Sequence, residues 1–94
     1  MNPYIDSIES EASVIRVFDQ NIDPIELKWH RDLEDREVTV LEGEGWYFQK
    51  EDILPVELLP GVTIFIKALE WHRVIKGTAY LKIKIQELKN NEPT

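Results

Sequence analysis

A chain of 94 residues, 43% hydrophobic and 31% charged, has the composition of one small globular domain and not of a disordered segment. Its 18 acidic against 11 basic side chains, a net charge of −7, argue against nucleic acid or an anionic membrane as partner. The absence of cysteine removes disulfides and thiolate chemistry. The start lacks the basic residues and apolar run of a secretion signal, and no stretch approaches the roughly 20 apolar residues of a membrane helix, so the cytoplasm is the expected location.

Taken in chain order, the elements read as β. Residues 1–10 form an N-terminal arm, and Ser13 to Gln20 is rich in β-branched residues. From Glu26 to Asp32, Leu27 and Trp29 alternate with Lys28, His30 and Asp32, the period of a strand with one buried face. Arg36 to Glu42 alternates Val38 and Val40 with Glu37 and Thr39, and Gly43-Glu44-Gly45 turns the chain into Trp46 to Lys50. Leu54-Pro55 opens a short strand, Pro60-Gly61 marks a turn, and Val62 to Ala68 is an apolar run. Trp71 to Lys76 and Ala79 to Leu88 read as a final hairpin about Gly77-Thr78, with residues 90–94 as a tail. Eight short strands with turns every 8 to 12 residues predict an all-β antiparallel barrel or jelly roll with at most one helical turn, over residues 1–94 as one domain.

Both histidines sit in a repeated tripeptide, Trp29-His30-Arg31 and Trp71-His72-Arg73. Two strands that carry imidazoles in this way can bring them into one pocket, and neutral imidazole is the commonest protein ligand for a transition metal. Because residues two apart in a strand share a face, His30 and Asp32 point the same way.

Over Glu26 to Glu87 the chain resembles the small single-domain cupins, jelly rolls of the RmlC-like type. Their first motif, His-x-His, three or four residues, Glu, six residues, Gly, is matched in spacing by His30-x-Asp32, Arg36 and Gly43, ending Val40-Leu41-Glu42-Gly43-Glu44-Gly45. Their second motif, Gly, five residues, Pro-x-Gly, two residues, His, is matched by Gly61, Lys67-Ala68-Leu69 and His72, without the Pro and the second Gly. The resemblance puts His30, Asp32, Arg36 and His72 where cupins place three histidines and a glutamate. Asp32 is an acceptable replacement, whereas Arg36 is not, since a guanidinium offers only donors.

His30, Asp32 and His72 then make a two-histidine, one-carboxylate set for a divalent transition metal such as Fe, Mn, Ni or Zn. A 2-oxoglutarate oxygenase would need a further cation; Lys82 alternates with Leu81 and Ile83 and should point away from the pocket. Arg36 either grips an anionic small molecule, with Gln49 adding an amide to the same wall, or pairs with Asp32 across the turn Leu33-Glu34-Asp35. Two functions stay open: a metal-dependent cupin binding or converting a small organic molecule, of dioxygenase or isomerase type, and a metal-free cupin serving as a small-molecule-binding or assembly module. Of Trp46, Tyr47 and Phe48, at least one must leave the interior. Trp29 and Trp71 read as core or interface anchors. A homodimer is expected, on the apolar faces of Val14, Phe18, Trp46 and Phe48 and on an N-terminal segment able to extend a neighbour's sheet.

Overall fold

The computed structural model describes residues 4–88. Eight strands form, in chain order β1 (Tyr4–Ser10), β2 (Ser13–Phe18), β3 (Asp35–Glu42), β4 (Tyr47–Lys50), β5 (Val56–Glu57), β6 (Thr63–Ile66), β7 (His72–Ile75) and β8 (Leu81–Leu88), with one 3-10 turn at Pro24–Glu26. All pairings are antiparallel, in a five-stranded sheet β1-β2-β8-β3-β6 and a three-stranded sheet β5-β4-β7. The all-β jelly roll with one short helical turn is the architecture that the strand periods predict. Among the described residues no helix is long and apolar enough to cross a membrane.

Alternation decides which face each residue serves. In the five-stranded sheet the register sets Phe18 opposite Leu81, Val40 opposite Ile83, and Val38 opposite both Ile85 and Ile64. These side chains meet Phe48 of the smaller sheet in one core that also takes in Trp46, Leu58 and Ile66. Trp46 is fully buried, and its indole N–H donates to the Ala79 carbonyl at 2.6 Å, so the largest core residue leaves no polar atom unpaired. Phe48 is buried and Tyr47 faces outward, as three consecutive aromatics in an extended chain require.

Four expectations are corrected. Glu26 to Asp32 is not a strand: Asp23 accepts the Ile25 N–H at 3.1 Å and caps the turn that Pro24 begins, so the chain enters this segment bent and joins β7 at His30 alone. The last two strands are not a hairpin, because β7 and β8 lie in different sheets. Gly77-Thr78 and Gly43-Glu44-Gly45 are both crossings between sheets, and they pack on one another: Thr78 N–H donates to the Glu44 carbonyl at 3.1 Å, and a Cβ at Gly77 would overlap that oxygen and the Trp46 ring. Residues 4–10 of the expected arm are strand β1, paired with β2 in the chain's own sheet; residues 1–3 and the tail 90–94 lie outside the described residues. Finally, Phe18, Trp46 and Phe48 are core residues and Val14 packs against them, so these four side chains do not form an exposed apolar face.

Leu69 takes the place of the second glycine of the cupin-like motif and adopts φ 65°, a left-handed conformation that a side chain with a Cβ disfavours by about 1–2 kcal/mol. Its N–H donates to the Asp32 carbonyl at 2.7 Å, and the Ala68 N–H donates to Asp35 Oδ1 at 2.7 Å, which holds the backbone in that shape. Since the Leu69 side chain is 54% exposed, Leu69→Gly should relieve strain with little loss of packing. Equilibrium urea unfolding is expected to show a gain of up to about 1 kcal/mol, offset in part by the greater freedom of glycine in the unfolded chain.

Candidate metal centre

The two Trp-His-Arg copies lie against each other. His30 and His72 exchange both backbone hydrogen bonds, each at 2.9 Å, as one antiparallel bridge. Directly opposed residues in such a bridge share a face, and the rings meet at 4.2 Å between centroids on the inner side. On the outer side the flanking residues cross over: the Arg31 guanidinium lies 5.0 Å from the Trp71 ring centroid and that of Arg73 lies 4.7 Å from that of Trp29. Repeat and bridge together explain one another, since an antiparallel pair of identical tripeptides puts each arginine opposite the other copy's tryptophan. Trp29 and Trp71 are thus neither core nor buried anchors but half-exposed partners in two cation–π pairs.

Both imidazoles are oriented in the same way. Nδ1 of His30 lies 3.1 Å from the Lys28 carbonyl and Nδ1 of His72 lies 2.8 Å from the Glu70 carbonyl. A carbonyl oxygen only accepts, so each Nδ1 carries the proton and each Nε2 presents a lone pair to the pocket. Asp32 Oδ2 is buried and stands 3.3 Å from His72 Nε2, with no other hydrogen-bond partner among the described residues. Ligand atoms of His30, Asp32 and His72 all lie within 4.8 Å of one another. With both rings in the neutral Nδ1–H form, three electron-pair donors converge, which suits a cation; as the imidazolium, His72 instead donates from Nε2 to Asp32 Oδ2.

Charge around the group is balanced by Arg36, whose Nη1 is 3.5 Å from Asp32 Oδ1 and whose Nη2 is 3.6 Å from Glu87 Oε1. Asp32 thus turns one oxygen to Arg36 and the other to His72. Burial raises its carboxyl pKa, but a hydrogen bond from the protonated His72, then the charge of Arg36 and those of the two histidines when protonated, outweigh burial and hold it below the ordinary value. For His30 the largest influence is loss of water from the inward side of an otherwise exposed ring, which lowers its pKa; the Lys28 carbonyl opposes this, and His72 lowers it further.

The structure brings His30, Asp32, Arg36 and His72 to one pocket and leaves Gln49 out. Gln49 follows Phe48 in β4 and so faces the other way, accepting from Arg73 Nε at 2.9 Å and donating to the Ile53 carbonyl at 3.0 Å. Lys82 points outward toward Glu42 at 3.7 Å, as its alternation requires. Arg16 of β2, not singled out by the motifs, lines the same pocket. Its signal was present in the sequence: a charged residue between Val14 and Phe18 on a face that is otherwise apolar.

No family model matches the chain, and no curated protein matches it by sequence. Solved structures do match. A chain from the crystal structures of the DMSP lyases RdDddP and RnDddQII superposes with TM-score 0.71 at 19% identity, over 82% of this chain and 37% of that one. A cupin domain from Bordetella pertussis Tohama I gives TM-score 0.61 at 16% identity, over 92% of each chain. The fold is that of the cupins. Fe(II)-HppE with its alternative substrate (S)-1-HPP is also similar, with TM-score 0.63 at 19% identity over 90% of this chain and 48% of that one. The chain therefore spans about a third of the lyase chain and half of the HppE chain, but nearly all of the Bordetella domain.

Two measurements check this geometry. Protons compete with a metal for Nε2, and a lowered His30 pKa moves that competition to more acid conditions. The contribution of His30 to zinc affinity, read by calorimetry as the difference between wild type and His30→Ala, should therefore persist to a pH below the ordinary histidine value of about 6.5. Arg31→Ala, which removes one cation–π pair outside the pocket, should cost about 0.5–1 kcal/mol of stability. The same change should weaken zinc binding by roughly tenfold, because it loosens a support of the His30 ring.

Proposed function

We propose that this cupin binds a divalent transition metal through His30, Asp32 and His72 and presents it to a small organic molecule held by Arg36. The observation that supports this reading is the convergence of the His30 and His72 Nε2 atoms on a buried Asp32 oxygen that has no other partner among the described residues. The likeness to Fe(II)-HppE, and to HppE with Co(II), supports the choice of metal class. A bound Fe, Mn, Ni or Zn ion would supply Lewis acidity, and three protein ligands would leave positions free for a ligand oxygen. The chain's own residues do the rest. The Lys28 and Glu70 carbonyls fix both imidazole tautomers, Asp32 offsets part of the ion's charge, and Arg36 keeps Asp32 ionised and faces the pocket with unsaturated donors.

The placement of Arg36 favours a small-molecule site over an assembly module. A guanidinium takes the position where a fourth ligand would sit, yet its contacts to Asp32 and Glu87 are loose, which leaves donors for an incoming anionic group.

Metal analysis of protein purified without a histidine tag, followed by zinc titration of variants, tests the proposal. His72→Ala should lose at least about a hundredfold in zinc affinity, since it removes one ligand of three. Arg36→Glu should gain roughly tenfold, because it adds a carboxylate and removes a cation from the site. Unchanged zinc binding in His72→Ala would mean that the histidine pair is structural.

A further inference from the structure

The pocket has two parts, an inner chamber of about 50 Å³ and an outer mouth of about 290 Å³, which share Arg16, Phe18, His30, Asp32, Arg36 and Val74. By the volume that one water-sized group needs, the chamber has room for roughly three to five such groups. Its floor is hydrocarbon, supplied by Phe48, Ile64, Ile66, Ile83 and Ile85. Among the described residues that line it, only Arg16, His30, Asp32, Arg36 and His72 have side chains that hydrogen-bond; no Ser, Thr, Asn, Gln or Tyr is present. A sugar or polyol would bury hydroxyls there with too few partners, which disfavours both.

The two arginines differ in what they have left to give. Arg16 closes its fork on Asp6, with Nε at 2.8 Å from Oδ1 and Nη2 at 3.0 Å from Oδ2, and lies 3.6 Å from the Tyr4 ring centroid. Arg36 has only the ion contacts at 3.5 and 3.6 Å, and its buried Nε faces no acceptor among the described residues. A planar fork with unsaturated donors beside an apolar chamber matches the headgroup of a carboxylic acid. Asp32 and Glu87 flank the guanidinium, so a monoanion suits it better than a phosphate dianion, whose extra charge would face both carboxylates.

We propose that the ligand is a short-chain aliphatic monocarboxylate, with its carboxylate on Arg36 and its hydrocarbon chain on Ile64, Ile66, Ile83 and Ile85. This inference rests on the pocket being the functional site, as proposed above, and adds its substrate class. Metal and acid then bind with positive coupling, because the ion offsets the Asp32 charge that the incoming carboxylate meets, and coupling of this kind is reciprocal.

Calorimetric titration of propionate, butyrate, glucose and inorganic phosphate into metal-free and zinc-loaded protein tests it. Butyrate or propionate is expected to bind the zinc-loaded wild type at least tenfold more tightly than the metal-free protein, with glucose and phosphate weaker than either. Arg36→Gln should lose at least tenfold in butyrate affinity while still loading zinc. Should that variant fail to fold by circular dichroism, Arg36→Lys, which keeps the charge and loses the fork, is expected to show a fall in the same direction. If zinc loads but no carboxylate binds, if butyrate binds Arg36→Gln as well as wild type, or if glucose or phosphate binds more tightly, the inference is wrong and the metal site stands. Butyrate binding that needs Arg36 in a protein that never loads zinc would instead uphold the carboxylate site and remove the metal reading.

Discussion

Two backbone hydrogen bonds between His30 and His72 organise the pocket. They join a segment that belongs to no sheet to the edge of β7, and they do so at the one residue in each partner that carries an imidazole. Because opposed residues in an antiparallel bridge share a face, the same contact sends both rings inward and crosses Trp29, Arg31, Trp71 and Arg73 on the outer side. Support for the candidate site thus lies on the solvent side of the backbone, where a cation over an indole costs little desolvation. Nothing in the apolar core has to be sacrificed to hold the rings.

Inside the pocket, electrostatics is a matter of sharing one carboxylate. Asp32 turns Oδ1 toward Arg36 and Oδ2 toward His72, and its backbone carbonyl also anchors Leu69. An isolated carboxylate at this depth would carry a raised pKa; the Arg36 cation and a hydrogen bond from protonated His72 hold it below the ordinary value. Arg36 therefore has two consequences. It sets a positive charge where the cupin-like motif would have a metal ligand, and it helps to keep the Asp32 carboxylate ionised.

The pocket is held rigid by the way the sheets are joined. Glycine-bearing crossings after β3 and before β8 pack against each other over Trp46, whose indole nitrogen is tied to the second crossing. Core residues of both sheets, Phe48 and Ile66 among them, are at once the walls of the chamber, so packing that stabilises the fold also shapes the cavity. Such walls resist deformation, because close-packed interiors leave side chains few alternative positions.

Local sequence determined a good deal. Alternation through Arg36 to Glu42 and Leu81 to Leu88 marked the faces of β3 and β8, glycine and proline marked the turns, and the spacing of His30, Asp32, Arg36 and His72 marked the residues that meet. These are properties of a chain with a period of two, and they are written in neighbouring residues. Tertiary structure decided what depends on distant partners. It made Gly77-Thr78 a crossing and not a hairpin, since a turn residue does not reveal which sheet its second strand will join. It reduced Glu26 to Asp32 from a strand to a single bridge, turned Gln49 outward into a bond with Arg73, and buried the aromatic faces expected at a dimer contact. It alone placed Arg16 beside the histidines, and it alone left one oxygen of Asp32 with His72 as its one partner among the described residues, because hydrogen-bond satisfaction is a property of the whole packed environment and not of any stretch of sequence.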